Sequence, residues 1–133
     1  VINLCNPNEM GEARSIDQRL GVAGAGGQLL ELPMSPTIDA GDADLAKYVD
    51  VLKNPNNYPM LIHCQHGVTR TAKLLATYDI LFRGQTAEQS IAAMPLFGRE
   101  EYNVSVKAFA RSVQEQHHKL FPSVAGQLDI LRR

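Results

Sequence analysis

The chain has 133 residues, 44% hydrophobic and 20% charged, enough for one globular domain with a proper core and too few for two. A net charge of −1 without a long basic run argues against nucleic acid or an anionic membrane as the main partner, and no apolar stretch approaches a membrane span. Two cysteines are too few for a disulfide scaffold, so reducing, cytoplasmic surroundings are expected for any reactive thiol.

Residues 1–5, Val-Ile-Asn-Leu-Cys, read as a buried strand ended by Asn6, Pro7 and Asn8. The chain opens on Val1 directly in this strand and without a methionine, so the expected unit is a single domain over 1–133 that lacks an upstream strand or hairpin. Asn8 is a reasonable helix cap, and Met10, Ala13, Ile16 and Leu20 keep a helical period over residues 9–20, with Gly21 as the stop. The glycine-rich run 21–27 has the wrong spacing for a dinucleotide fingerprint and leads into a strand, so it reads as a flexible connection. Residues 28–32 are the next strand, and a loop from Pro33 to Gly41 follows. A helix is expected over 42–53, with Leu45, Val49 and Leu52 inward and an Asn-Pro stop.

The short apolar run after Pro59 reads as another buried strand, and residues 71–83 as a helix ended by Gly84. Thr86 and Gln89 have capping-box spacing for a short helix to Met94. A loop over 95–102 and a last amphipathic helix capped by Asn103 complete the pattern, with Val106, Phe109, Ala110 and Val113 as its buried stripe. His117 and His118 lie side by side on this helix, whose period turns neighbours apart, so a solvated helix end is expected rather than a metal site. Strands alternating with helices imply an α/β fold, a mainly parallel central sheet flanked by helices in three layers, with ligands at the strands' C-terminal ends. Cys5, Pro33 and Cys64 all lie at that edge.

Residues 64–70 form the turn from strand to helix. Successive backbone N–H groups in such a turn make a concave nest that favours anions. The same donors, with the permanent charge of Arg70, favour a thiolate at Cys64. If the thiol pKa falls from about 8.5 to about 5.5, the thiolate fraction at pH 7 rises from roughly 3% to nearly all, about thirtyfold in rate. A general acid and charge stabilisation by Arg70 must supply the rest of any catalysis.

The run His63-Cys64-Gln65-His66-Gly67-Val68-Thr69-Arg70-Thr71 resembles the signature loop of the cysteine-dependent protein tyrosine phosphatases, in their compact dual-specificity-like branch. The resemblance implies a phosphotyrosine phosphatase II-like fold. It implies that Cys64 attacks phosphorus to give a cysteinyl-phosphate, that Arg70 clamps the equatorial oxygens, and that Thr71 donates to the sulfur as it leaves. Gln65, His66, Gly67, Val68 and Thr69 would then cradle the phosphate, and Gly67 would take a conformation closed to residues with a Cβ. His63 is expected to orient the loop rather than move a proton. Ala72 stands where many relatives carry glycine, a change expected to alter helix packing more than chemistry.

The resemblance also implies an aspartate acid upstream. Asp42 and Asp44 fall where a helix starts and read most simply as caps. Asp39 lies in the loop itself, 25 residues before Cys64, and is the preferred candidate; the short spacing keeps Asp42 and Asp44 open. Some relatives hold a second cysteine on the first strand that captures an oxidised nucleophile, and Cys5 is placed to do so, with simple core packing as the competing reading.

The expected function is metal-independent phosphomonoester hydrolysis by a monomer that needs no cofactor, acting on a phosphorylated protein or a small phosphomonoester. The competing readings are a phospho-ligand binding module with weak catalysis and a sulfurtransferase or arsenate-reductase-like thiol enzyme. No lysine and no second arginine stands among Gln65, His66, Val68 and Thr69, which disfavours substrates with several phosphates on one ring.

Overall fold

A computed structural model describes residues 1–94, 100–122 and 124. Three short parallel strands form its sheet: β1 (Ile2–Asn3), β2 (Leu30–Glu31) and β3 (Ile62–His63), in the order β2-β1-β3. Ile2 lies level with Leu30 and Ile62, and Asn3 with Glu31 and His63. Because successive strand side chains point to opposite faces, this register sorts the sheet into an apolar face and a polar one. The helices are α1 (Pro7–Met10), α2 (Glu12–Gly24), α3 (Ala43–Leu52), α4 (Arg70–Phe82), α5 (Ala87–Ala93) and α6 (Glu100–Leu120).

The core sits on the apolar face. Ile2 and Leu4 from the β1 segment bury against Leu45, Tyr48 and Val49 of α3, Leu74, Ile80 and Leu81 of α4, and Phe109, Ala110 and Val113 of α6. The expected stripes of α3 and α6 are the buried ones. Leu74 is fully enclosed, and truncating it to alanine would cost about 2–5 kcal/mol. Among the described residues no helix is long and apolar enough to cross a membrane.

Several expectations are corrected. The helix expected over 9–20 is two helices, broken at Gly11, whose φ of +78° no helical residue adopts. The first begins after Asn6 rather than Asn8, and the second runs past Gly21 to Gly24, so the first four residues of the glycine-rich connection are helical. Its apolar stripe is not buried: Ile16 is 45% and Leu20 69% exposed. The physical reason is the sheet face beneath, where Asn3, Glu31 and His63 are polar, so α2 docks through Gln18 and Arg19 instead. The strand after Pro59 is a half-exposed edge strand, with Leu61 64% exposed.

The last helix starts at Glu100, three residues before its expected cap Asn103. The expected loop over 95–102 otherwise falls on 95–99, which lie outside the described residues, as does most of 120–133. His117 is buried, four residues on from Val113 along the same stripe; its Nδ1 meets the Gln114 carbonyl at 2.6 Å and its ring lies 4.0 Å from that of His118. The pair is therefore half core, not a solvated end.

Candidate active site

All three strands end at one edge, and the chain leaves β3 there into the loop of residues 64–69 before α4 begins at Arg70. Gly67 has a φ of +69°, the left-handed conformation expected of it, and this turns its amide back towards the cysteine. The Gly67 N–H donates to Cys64 Sγ at 3.2 Å, and the Thr71 hydroxyl donates to the same atom at 3.0 Å. Burial pushes the Cys64 thiol up, but the Thr71 hydroxyl and the backbone N–H groups of Thr71, Gly67 and His66 outweigh it, and the net shift is downward. These donors favour the thiolate, and the charge of Arg70 interacts favourably with it as well.

Arg70 is buried, its side chain only 5% exposed, and its five N–H donors can be accounted for. Glu9 accepts from Nη1 and Nη2 at 2.6 Å each, a bidentate pair. Nη1 also donates to the carbonyls of Met34 at 3.2 Å and Leu4 at 3.4 Å. What remains is the edge made by Nε and the second hydrogen of Nη2, which has no partner among the described residues. That edge has the parallel geometry a tetrahedral oxyanion needs. Glu9 is held by Arg70 at a pKa of about 2, so the pair is charged throughout the neutral range.

Cys64, Gln65, His66, Val68, Thr69 and Arg70 surround a cavity of about 160 Å³, and Pro36 closes it from the loop between β2 and α3. Gly67 and Thr71 stand behind, lining a neighbouring apolar concavity of about 240 Å³ with Ala72, Leu75 and Met94. A larger concavity of about 620 Å³, between Gly26–Gly27 and Tyr58–Leu61, lies at the far end of the strands, away from the thiol.

His63 lies under the loop. Gln18 Oε1 accepts from Asn3, so its Nε2 donates to His63 Nε2 at 2.6 Å. The proton of the neutral ring is then on Nδ1, which faces the Cys64 carbonyl at 3.4 Å. Cys5 is buried at the end of β1, where Asn3 Oδ1 accepts its N–H; both cysteines are free thiols.

The three aspartates separate. Asp42 caps α3, accepting from the Asp44 N–H at 2.9 Å, and Asp44 lies 3.6 Å from Lys47. Asp39 is exposed, and its Oδ1 accepts from the Gly41 N–H at 3.1 Å. None of the three lines the cavity. Asp39 shares its loop with Pro36, which does.

Two charged residues at the site escaped the sequence reading. Glu9 stands three residues after Asn6 and accepts its N–H at 2.9 Å, so the visible signal was that of a capping box. Lys73 sits in the apolar pattern of α4 and carries no motif of its own.

Comparison with known proteins gives one family match. A model described as "PTP-NADK: DSP-PTPase phosphatase fused to NAD+ Kinase" matches residues 17–119, and so covers the loop, the three aspartates and the helices α3, α4 and α5. No match is found among curated proteins or solved structures.

Proposed function

Because the chain belongs to the family of dual-specificity-type phosphatases fused to NAD+ kinase, we propose that it hydrolyses phosphomonoesters through a cysteinyl-phosphate. The observation that carries this reading is the paired donation of Thr71 and Gly67 to Cys64 Sγ beside the free edge of Arg70. Two phosphate oxygens bind that edge and the loop amides take the third. The Cys64 thiolate attacks phosphorus; the P–S bond forms as the bond to the ester oxygen breaks, and Asp39 gives that oxygen its proton. Asp39 then takes a proton from water, the water oxygen attacks phosphorus, and the P–S bond breaks to return the thiolate to the Thr71 hydroxyl. Such a thiolate needs reducing surroundings, which supports a cytoplasmic setting.

The competing reading of a phospho-ligand binding module draws on the place of Asp39, which is outside the cavity wall. A single arginine and no lysine in the loop suits one phosphate at a time. The substrate panel therefore contains phosphopeptides, aryl phosphates and, because an NAD+ kinase makes a phosphomonoester on a ribose hydroxyl, NADP+. The proposed enzyme releases phosphate from at least one of these, is inhibited by vanadate and ignores a chelator. Binding without release by wild-type protein would instead support the binding module.

A further inference from the structure

A buried lysine ties the loop of Asp39 to the helix that carries the nucleophile loop. Lys73 is 2% exposed, one turn after Arg70 on α4. Its Nζ donates to the Pro36 carbonyl at 2.7 Å and to the Ile38 carbonyl at 3.1 Å, and the Phe109 ring centroid lies 5.5 Å away. Arg70 holds the Met34 carbonyl of the same loop. Two cations from one face of α4 thus grip alternate carbonyls, 34, 36 and 38, of the segment that places Pro36 on the cavity and Asp39 next in the chain.

Burying an ammonium is unfavourable unless its donors are satisfied, and an apolar side chain would fill this position at lower cost. Burial accordingly pulls the Lys73 amine down, and the Asp39 carboxylate opposes that. Ser35 and Thr37 hydroxyls, 2.7 Å apart, and the turn from Ile38 N–H to Ser35 carbonyl keep the gripped segment compact.

We infer that Lys73 is a positioning residue that clamps the loop of residues 34–39 to α4, so that Asp39 is set relative to Cys64 by the helix rather than by the loop's own flexibility. Its kinetic consequences rest on the reading of Asp39 as the acid; the clamp itself does not.

The test compares Lys73→Met with wild type, and with Lys73→Gln, which keeps an amide donor, should the first variant not fold. Vanadate inhibition and alkylation of Cys64 by iodoacetamide should stay within about twofold, because the nucleophile loop is untouched. Amide hydrogen exchange in residues 37–41 should accelerate about tenfold or more. Turnover of an alkyl phosphate should fall about tenfold or more, while an activated aryl phosphate changes by less than about threefold. Adding the Lys73 change to Asp39→Asn should bring no further loss, since both act through one proton donor. Unchanged exchange in residues 37–41 would overturn the clamp, and an undiminished Lys73 effect in the Asp39→Asn background would overturn its action through Asp39. If Asp39→Asn alone leaves the alkyl phosphate rate intact, the acid assignment falls, and the exchange measurement still decides for or against the clamp.

Discussion

Replacing Glu9 by glutamine tests how the guanidinium is aimed. The two 2.6 Å bonds from Arg70 occupy one edge of the planar fork and leave the Nε–Nη2 edge of this cavity-lining residue without a partner among the described residues. Glutamine keeps the shape but brings an amide N–H₂ against an arginine donor, so one bond is lost and the other loses its charge. The Glu9 carboxyl, at 4.5 when free, is held at about 2, which corresponds to at most about 3 kcal/mol. Glu9 borders on solvent, so about 1–2 kcal/mol is the expected loss at pH 7, or about 3–8 °C in Tm.

The sign follows from the depressed value: the contribution is complete above about pH 4.5 and is lost as pH falls towards 2. The gap in Tm between wild type and Glu9→Gln should therefore be constant at neutral pH and close over that acid window. A misdirected fork should also lower kcat/KM by about ten- to a hundredfold, about 1.4–2.7 kcal/mol of transition-state stabilisation. Thermal unfolding at a series of pH values, with steady-state kinetics at pH 7, measures both. Equal kcat/KM in the two proteins, or a Tm gap that widens in acid, would refute the role given to Glu9.

Three further predictions concern the same site. Asp39→Asn should lower kcat strongly for alkyl phosphates and weakly for activated aryl phosphates, which need little protonation; an equal loss for both would assign Asp39 a structural role. Thr71→Ala removes a charge-assisted donor from the sulfur, so the pH profile of Cys64 alkylation should move to higher pH and kcat fall about ten- to a hundredfold; an unmoved profile would contradict this. Brief peroxide treatment should give a Cys5–Cys64 crosslink recoverable by thiol reductant, since β1 and β3 are paired neighbours ending at one edge; peptide maps without it would leave Cys5 as packing.

The turn from β3 to α4 was legible because its geometry is local: the strand, Gly67, Arg70 and Thr71 lie within a few residues, and each has one physical reason for its place. The α3 and α6 stripes were legible for the same reason, as a helical period needs only the helix itself. Glu9 and Lys73 were not, because their partners lie 61 and 35–37 residues away and each imitates something ordinary, a cap and an amphipathic helix position. The exposure of Ile16 and Leu20 was hidden for a related reason. Strands of two paired residues are too short to display their alternation, so the polarity of the face under α2 emerged only from the register of Asn3, Glu31 and His63.

The central claim is that phosphorus passes through the sulfur of Cys64. Rapid acid quench of the enzyme turning over a phosphorus-32-labelled aryl phosphate, followed by peptide mapping, measures it directly. The account predicts label on the peptide containing Cys64, approaching one equivalent when breakdown of the intermediate is slow, and neither label nor turnover in Cys64→Ser. Turnover by Cys64→Ser, or turnover by wild-type protein with no label on that peptide, would contradict it.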